Sequence, residues 1–157
     1  GWLVAALEIA GILGGLLAGY LADRAFKGRY SLVNGLYMVG LAIGLVFLYM
    51  PPEISWISPL MMNALLLSIV GFLVYGPQML TAVSAASYAP RDCAAAATGF
   101  NGLFGYVGAT ISGVGVGYCV DQYGWDGGLL FFLVAGILGI VAFAIAHVLD
   151  KKYKVSF

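Results

Sequence analysis

The chain has 157 residues, 62% hydrophobic and 9% charged, with zero formal net charge and a mean hydropathy of +1.00. Soluble domains hold roughly a quarter of their residues as charged ones, so a water-dispersed globular fold is excluded and an all-α integral membrane protein is expected. Net charge carries no signal for a nucleic-acid partner and none is expected, while the 23 glycines suit membrane helices, where they let backbones approach closely.

A spanning helix needs about 20 mostly apolar residues, and the sequence offers five such runs. The first covers 1–22. It holds Glu8, the one carboxylate well inside an apolar run. A charge there costs roughly 3 kcal/mol or more unless it is paired, wet or protonated. Gly11, Gly15 and Gly19 stand four apart on the same run and predict a close-packing face. The second run covers 31–50 and ends at Pro51-Pro52. The third covers 58–87, with Pro59 suited to a first helical turn. The fourth covers 94–119 and is dense in small residues, and the fifth covers 128–149 ahead of a tail at 150–157.

The joining segments hold nearly all the charge. Arg24, Lys27 and Arg29 follow the first run, Arg91 follows the third, and Lys151, Lys152 and Lys154 follow the last. The alternate segments carry Glu53, Asp121 and Asp126 with no Lys or Arg. Because basic residues in short loops stay cytoplasmic, the 23–30 turn, the Pro90 turn and the C-terminus are expected inside. A run count of five then puts residue 1 outside. The chain starts without Met and with no charged leader region, which predicts a fragment of a longer protein.

Four polar side chains interrupt the third and fourth runs: Tyr75, Gln78, Asn101 and Tyr106. Polar groups at that depth normally face a protein interior or a watery cavity. The Gly76-Pro77 pair beside them predicts a helix break, since proline removes a backbone hydrogen bond. Such a break would turn Tyr75 and Gln78 toward a solute cavity. A bend that only serves packing is the alternative. Asn101 could bridge two helices and Tyr106 could be interfacial filler. His147, near Asp150 and Lys151, reads as an interfacial residue. Cys93 and Cys119 are separated by a whole span, tens of ångströms at about 1.5 Å per residue, and cannot bridge. One His and two distant Cys make no metal set. No serine triad or phosphate-cradling loop is present. Neither an enzyme nor a cofactor is expected.

Two sets of residues carry a family resemblance. Gly15, Leu17, Asp23, Arg24, Lys27 and Arg29 are the glycine, leucine, acidic and basic residues that resemble the cytoplasmic-loop signature of the major facilitator superfamily. A generic positive-inside loop would read the same way. Tyr75-Gly76-Pro77-Gln78-Met79-Leu80, Ala89-Pro90-Arg91-Asp92, the Ala97–Gly108 stretch and Gly124-Trp125-Asp126-Gly127-Gly128 stand in one order. Together they resemble the C-terminal half of the organophosphate:phosphate antiporters of that superfamily, over almost the whole chain.

That resemblance implies five of the six helices of a C-terminal half in a bacterial inner membrane, exchanging inorganic phosphate for an organophosphate by alternating access. The candidates are glycerol phosphate, phosphoglycerate and hexose phosphate, with the Gly-Trp-Asp-Gly-Gly and Leu-Phe-Gly-Tyr stretches favouring the first. It implies cavity-lining roles for Tyr75 and Tyr106, and for Glu8 a charge network with basic residues, an interhelical hydrogen bond being the alternative. It places the phosphate-binding basic residues on the first helix of each half. Neither helix is represented here, so this polypeptide alone is not expected to transport and the N-terminal half is an expected partner. A sugar-phosphate sensor of the same fold and a non-transporting membrane subunit are the other readings.

Overall fold

A computed structural model describes residues 1–52 and 56–152. Glu53, and Lys154 with the rest of the 153–157 tail, lie outside the described residues. Every regular element among the described residues is helical.

Helix α1 spans Trp2–Tyr20 and runs on through a π-helical turn at Leu21–Ala25. The chain then reverses over two residues with positive φ, Lys27 at 50° and Gly28 at 80°. The Gly28 N–H donates to the Ala22 carbonyl at 2.8 Å, which closes the turn. Helix α2 spans Tyr30–Tyr49 and stops before Pro51-Pro52, which have no N–H to continue it. Helix α3 spans Pro59–Tyr88. The Ser58 hydroxyl accepts from the Met61 N–H at 3.4 Å, and Pro59 fills the first helical position. Pro90 follows its end, and a short 3-10 turn at Arg91–Cys93 leads into helix α4, Ala94–Lys152.

Straight, the 59 residues of α4 would reach about 90 Å, roughly three hydrocarbon cores. They do not run straight. At Gly124 the backbone takes φ 70° and ψ −167°, a region open essentially to glycine alone. Beyond it the chain folds back on itself. A methyl on Gly127 would stand 2.7 Å from the Cys119 carbonyl oxygen, and one on Gly115 would stand 2.7 Å from the Phe131 ring. The linker expected at 120–127 is thus reduced to one non-helical residue between arms 94–123 and 125–152. The rest of the expected linker stays helical because Gly127 and Gly128 let the arms touch at once.

Helices α1 and α3 form the tightest seam and run parallel. Leu7 meets Gly71, Gly11 meets Tyr75, and Gly15 meets Met79. A methyl on Gly14 would fall 1.9 Å from the Phe72 carbonyl oxygen, and one on Gly71 would fall 2.5 Å from that of Leu7. The predicted glycine face needs correction here. Gly19 opens onto empty space, and the seam is made by Gly11, Gly14, Gly15 and Ala18. A spacing of three or four both fall on one helical face, so the sequence ladder picked the wrong member.

The second arm of α4 packs antiparallel on α2. Contacts step from Ser31 with Asp150, through Gly35 with Phe143, to Met38 with Gly139. Between the seams lies a small core of Ala18, Ala22, Val33, Tyr37 and Leu80. The outward faces of the helices are apolar and exposed, as a bilayer solvent requires. Among the described residues, four helices are long and apolar enough to cross a membrane, α4 by a wide margin.

Candidate functional site

The polar residues of the spans fall into three groups, each fixed by a different helix pair. At the α1–α3 seam, the Tyr75 hydroxyl donates to a Glu8 carboxylate oxygen. Gly11 makes this possible. With no side chain of its own it lets the Tyr75 ring lie against the α1 backbone, where a methyl would stand 2.6 Å from Cδ2. Glu8 was expected in a charge network with basic residues, and the partner found is a tyrosine. Arg24, Lys27 and Arg29 sit past the far end of the same helix, about 24 Å on for Arg24. Both Glu8 and part of Tyr75 remain open to the outside of the bundle, so the pair offers an acidic, hydrogen-bonding surface within an apolar span.

The second group surrounds the Gly76-Pro77 pair. Pro77 lies inside α3, and both residues are buried. The Tyr37 ring fills the place of the missing Gly76 side chain, where a methyl would stand 2.3 Å from Cδ1. The Tyr37 hydroxyl donates to the Gly14 carbonyl at 3.1 Å, and its ring stacks on Phe72 with centroids 6.1 Å apart. One tyrosine therefore links α1, α2 and α3. Past the proline, Thr81 returns its hydroxyl to the Pro77 carbonyl at 2.9 Å. Gln78 points to the exposed side of α3.

The third group closes the end of the bundle that carries the basic turns. Asp150 accepts from the Ser31 hydroxyl and, at 3.2 Å to each of its oxygens, from the Tyr88 hydroxyl. The starts and ends of α2, α3 and α4 are joined there. His147 takes no part in it, and its Nδ1 is buried with no partner among the described residues. Asn34 lies one turn along α2 from Ser31, 1% exposed, with its Oδ1 unpartnered among the described residues.

The first arm of α4 carries the other two candidates, and it brings them to none of the three groups. Tyr106 is 79% exposed and Asn101 partly so. Methyls on Gly99, Gly102, Gly105 and Gly108 would meet nothing within 4 Å. The hydrogen bonds of the described residues connect neither Asn101 nor Tyr106 to Tyr75 or Gln78. Of the loop signature, Gly15 packs on Met79 inside the α1–α3 seam, while Asp23, Arg24, Lys27 and Arg29 stand exposed around the turn. Sequence reasoning passed over Ser31, Asn34 and Tyr37. Their spacing of three marks one face of α2, and that spacing was the available signal.

This geometry is a small-residue helix bundle with polar pairs at membrane depth, and the sequence comparisons agree with that class. Residues 1–156 match the Major Facilitator Superfamily, and the chain belongs to it. Within that superfamily its similarity is to the organophosphate:phosphate antiporter family. It is 34% identical to the glycerol-3-phosphate transporter of Haemophilus influenzae over 98% of this chain and 34% of the relative. It is 37% identical to the glycerol-3-phosphate transporter of Bacillus subtilis over 96% of this chain and 33% of the relative. The membrane sensor protein UhpC of Escherichia coli is 34% identical over 95% of this chain and 33% of the relative. The chain thus spans about a third of the length of the curated relatives it matches. No solved structure matches it.

Proposed function

We propose that these residues are part of a secondary active transporter that exchanges an organophosphate for inorganic phosphate by alternating access. In this reading they supply five spans of a six-helix C-terminal half, with the two arms of α4 as separate crossings and the basic turns in the cytoplasm of a bacterium. The observation that carries it is the similarity to two glycerol-3-phosphate transporters along nearly the whole chain. The hydroxyl-carboxylate pair of Tyr75 and Glu8 supports it, because a carboxylate inside an apolar span needs a polar surrounding. Gln78, Asn101 and Tyr106 are assigned to the same solute path. Their open faces leave room for the remaining two thirds of a full-length relative to close over them.

A phosphate dianion calls for permanently charged forked donors. Arg24, Arg29 and Arg91 are all in turns between helices, so the anion-binding arginines are assigned to the additional length found in the relatives. The test is exchange of radiolabelled phosphate against glycerol 3-phosphate, phosphoglycerate and hexose phosphate in proteoliposomes. The full-length transporter exchanges at least one of them, and residues 1–157 alone exchange none. Exchange by residues 1–157 alone refutes the proposed division of labour.

A sensor is the second reading, favoured by the 34% identity to UhpC. Saturable binding of a sugar phosphate by the full-length protein, with no exchange across the vesicle, would select it.

A further inference from the structure

The Gly124–Gly128 stretch builds a turn, yet Asp126 has no part in building it. Gly124 supplies the positive φ, and Gly127 and Gly128 supply close approach to Cys119 and Val120. Asp126 instead lines a cavity of about 480 Å³ between the hairpin and the end of α2, beside Tyr49, Tyr123 and Phe131. That volume falls in the range of small-ligand sites. An apolar cavity of about 130 Å³ adjoins it along Leu45, Val46 and Leu133, and shares Tyr49 and Leu130 with it. The site is therefore apolar over most of its lining, with the Asp126 carboxylate and two tyrosines as its polar groups at the end of the bundle.

Charge selects the polar end of the occupant. The basic side chains among the described residues (Arg24, Lys27, Arg29, Arg91, Lys151, Lys152) belong to the opposite end of the bundle. Asp121, across the turn, adds a second negative charge. An anionic group is repelled, whereas an ammonium meets a carboxylate and tyrosine faces that attract cations. Depth selects the rest. Tyr123 and Trp125, 73% and 79% exposed, are the residue types that settle at the boundary of a bilayer. The apolar continuation leads from that boundary toward the hydrocarbon.

We propose that this cavity binds the primary-ammonium headgroup of an aminophospholipid, with Asp126 accepting the ammonium N–H groups and the first part of an acyl chain lying along Leu130 and Leu133. A choline headgroup has no N–H to donate. A glycerol headgroup leaves the lipid anionic.

The cavity carries its own reporter, because Cys119 lines it and Cys93 lies in the turn at the other end of the bundle. In the full-length transporter with Cys93→Ser, and any cysteine outside these residues replaced, a small permeant maleimide reads the exposure of Cys119. Vesicles of phosphatidylcholine are compared with the same vesicles containing phosphatidylethanolamine or phosphatidylglycerol. Phosphatidylethanolamine slows labelling about tenfold, the protection given by ligand near ten times its Kd, and the other two do not. Asp126→Asn removes the protection, with circular dichroism checking that the helices persist. Equal rates in all three vesicles overturn the proposal, whether the site is open in all or covered by protein in all. Protection by phosphatidylglycerol, by soluble ethanolamine added to phosphatidylcholine vesicles, or persisting in a folded Asp126→Asn also overturns it. The lipid comparison uses no change at Asp126, so it stands even where that variant fails to fold.

Discussion

Tyr75 and Glu8 meet because Gly11 gives up its side chain to the tyrosine ring. Tyr75→Phe in the full-length protein removes their hydrogen bond, and thermal unfolding in detergent should show a lower midpoint. Glu8→Gln keeps an acceptor and is expected to be milder than Glu8→Ala. Because the two groups act on each other, the Tyr75→Phe/Glu8→Ala double variant should be no worse than the poorer single one. Strictly additive losses in unfolding midpoint would show that the pair does not work as a unit.

At the scale of the element, the α1–α3 seam rests on backbone approach, with glycine as the means. Gly14 and Gly19 look equivalent along the sequence and differ entirely in surroundings. The methyl of Gly14→Ala would collide with the Phe72 carbonyl, a backbone group that cannot turn aside. The seam must open, at a cost of about 1–3 kcal/mol by analogy with overpacked cores. The methyl of Gly19→Ala meets nothing within 4 Å, and alanine is the better helix former by roughly 1 kcal/mol. Thermal unfolding in detergent should thus show a lower midpoint for the first and an equal or higher one for the second. The reverse order would mean that α1 does not pack on α3 through this face. Gly76 belongs to the same logic. The Gly-Pro pair signals a bend in sequence, and the structure uses its glycine as the socket for Tyr37.

Across the whole molecule, Asp150 is the point where α2, α3 and α4 are tied at one end. Asp150→Ala removes the acceptor of the buried Ser31 hydroxyl and the link to Tyr88, and is expected to lower stability by about 1–3 kcal/mol. Hydrogen exchange should then rise at the first turn of α2 and the last turn of α3 together. Asp150→Asn, which keeps one acceptor oxygen, should recover part of the loss. A rise confined to the end of α4 would mean that the three helices are held by other contacts.

The membrane class, the helix limits near 31–50 and 58–87 and the charged turns were legible in the sequence. They depend on hydropathy and proline chemistry, and each acts within a few residues. Glu8 and Tyr75 were legible as polar intruders, but not as partners, since 67 residues of chain separate them. The single-residue turn at Gly124 was hidden because glycine-rich sequence reads as a linker even when helix persists on both sides. Sequence by itself determined that this chain is built of bilayer-length apolar helices and roughly where they are joined, because transfer from water is settled residue by residue. Only the tertiary structure decided that Gly14 rather than Gly19 touches α3, and that Tyr37, Tyr75 and Asp150 are the polar links. Those outcomes depend on how two helices rotate against each other, and a rotation of one residue moves a side chain about 100° around the axis.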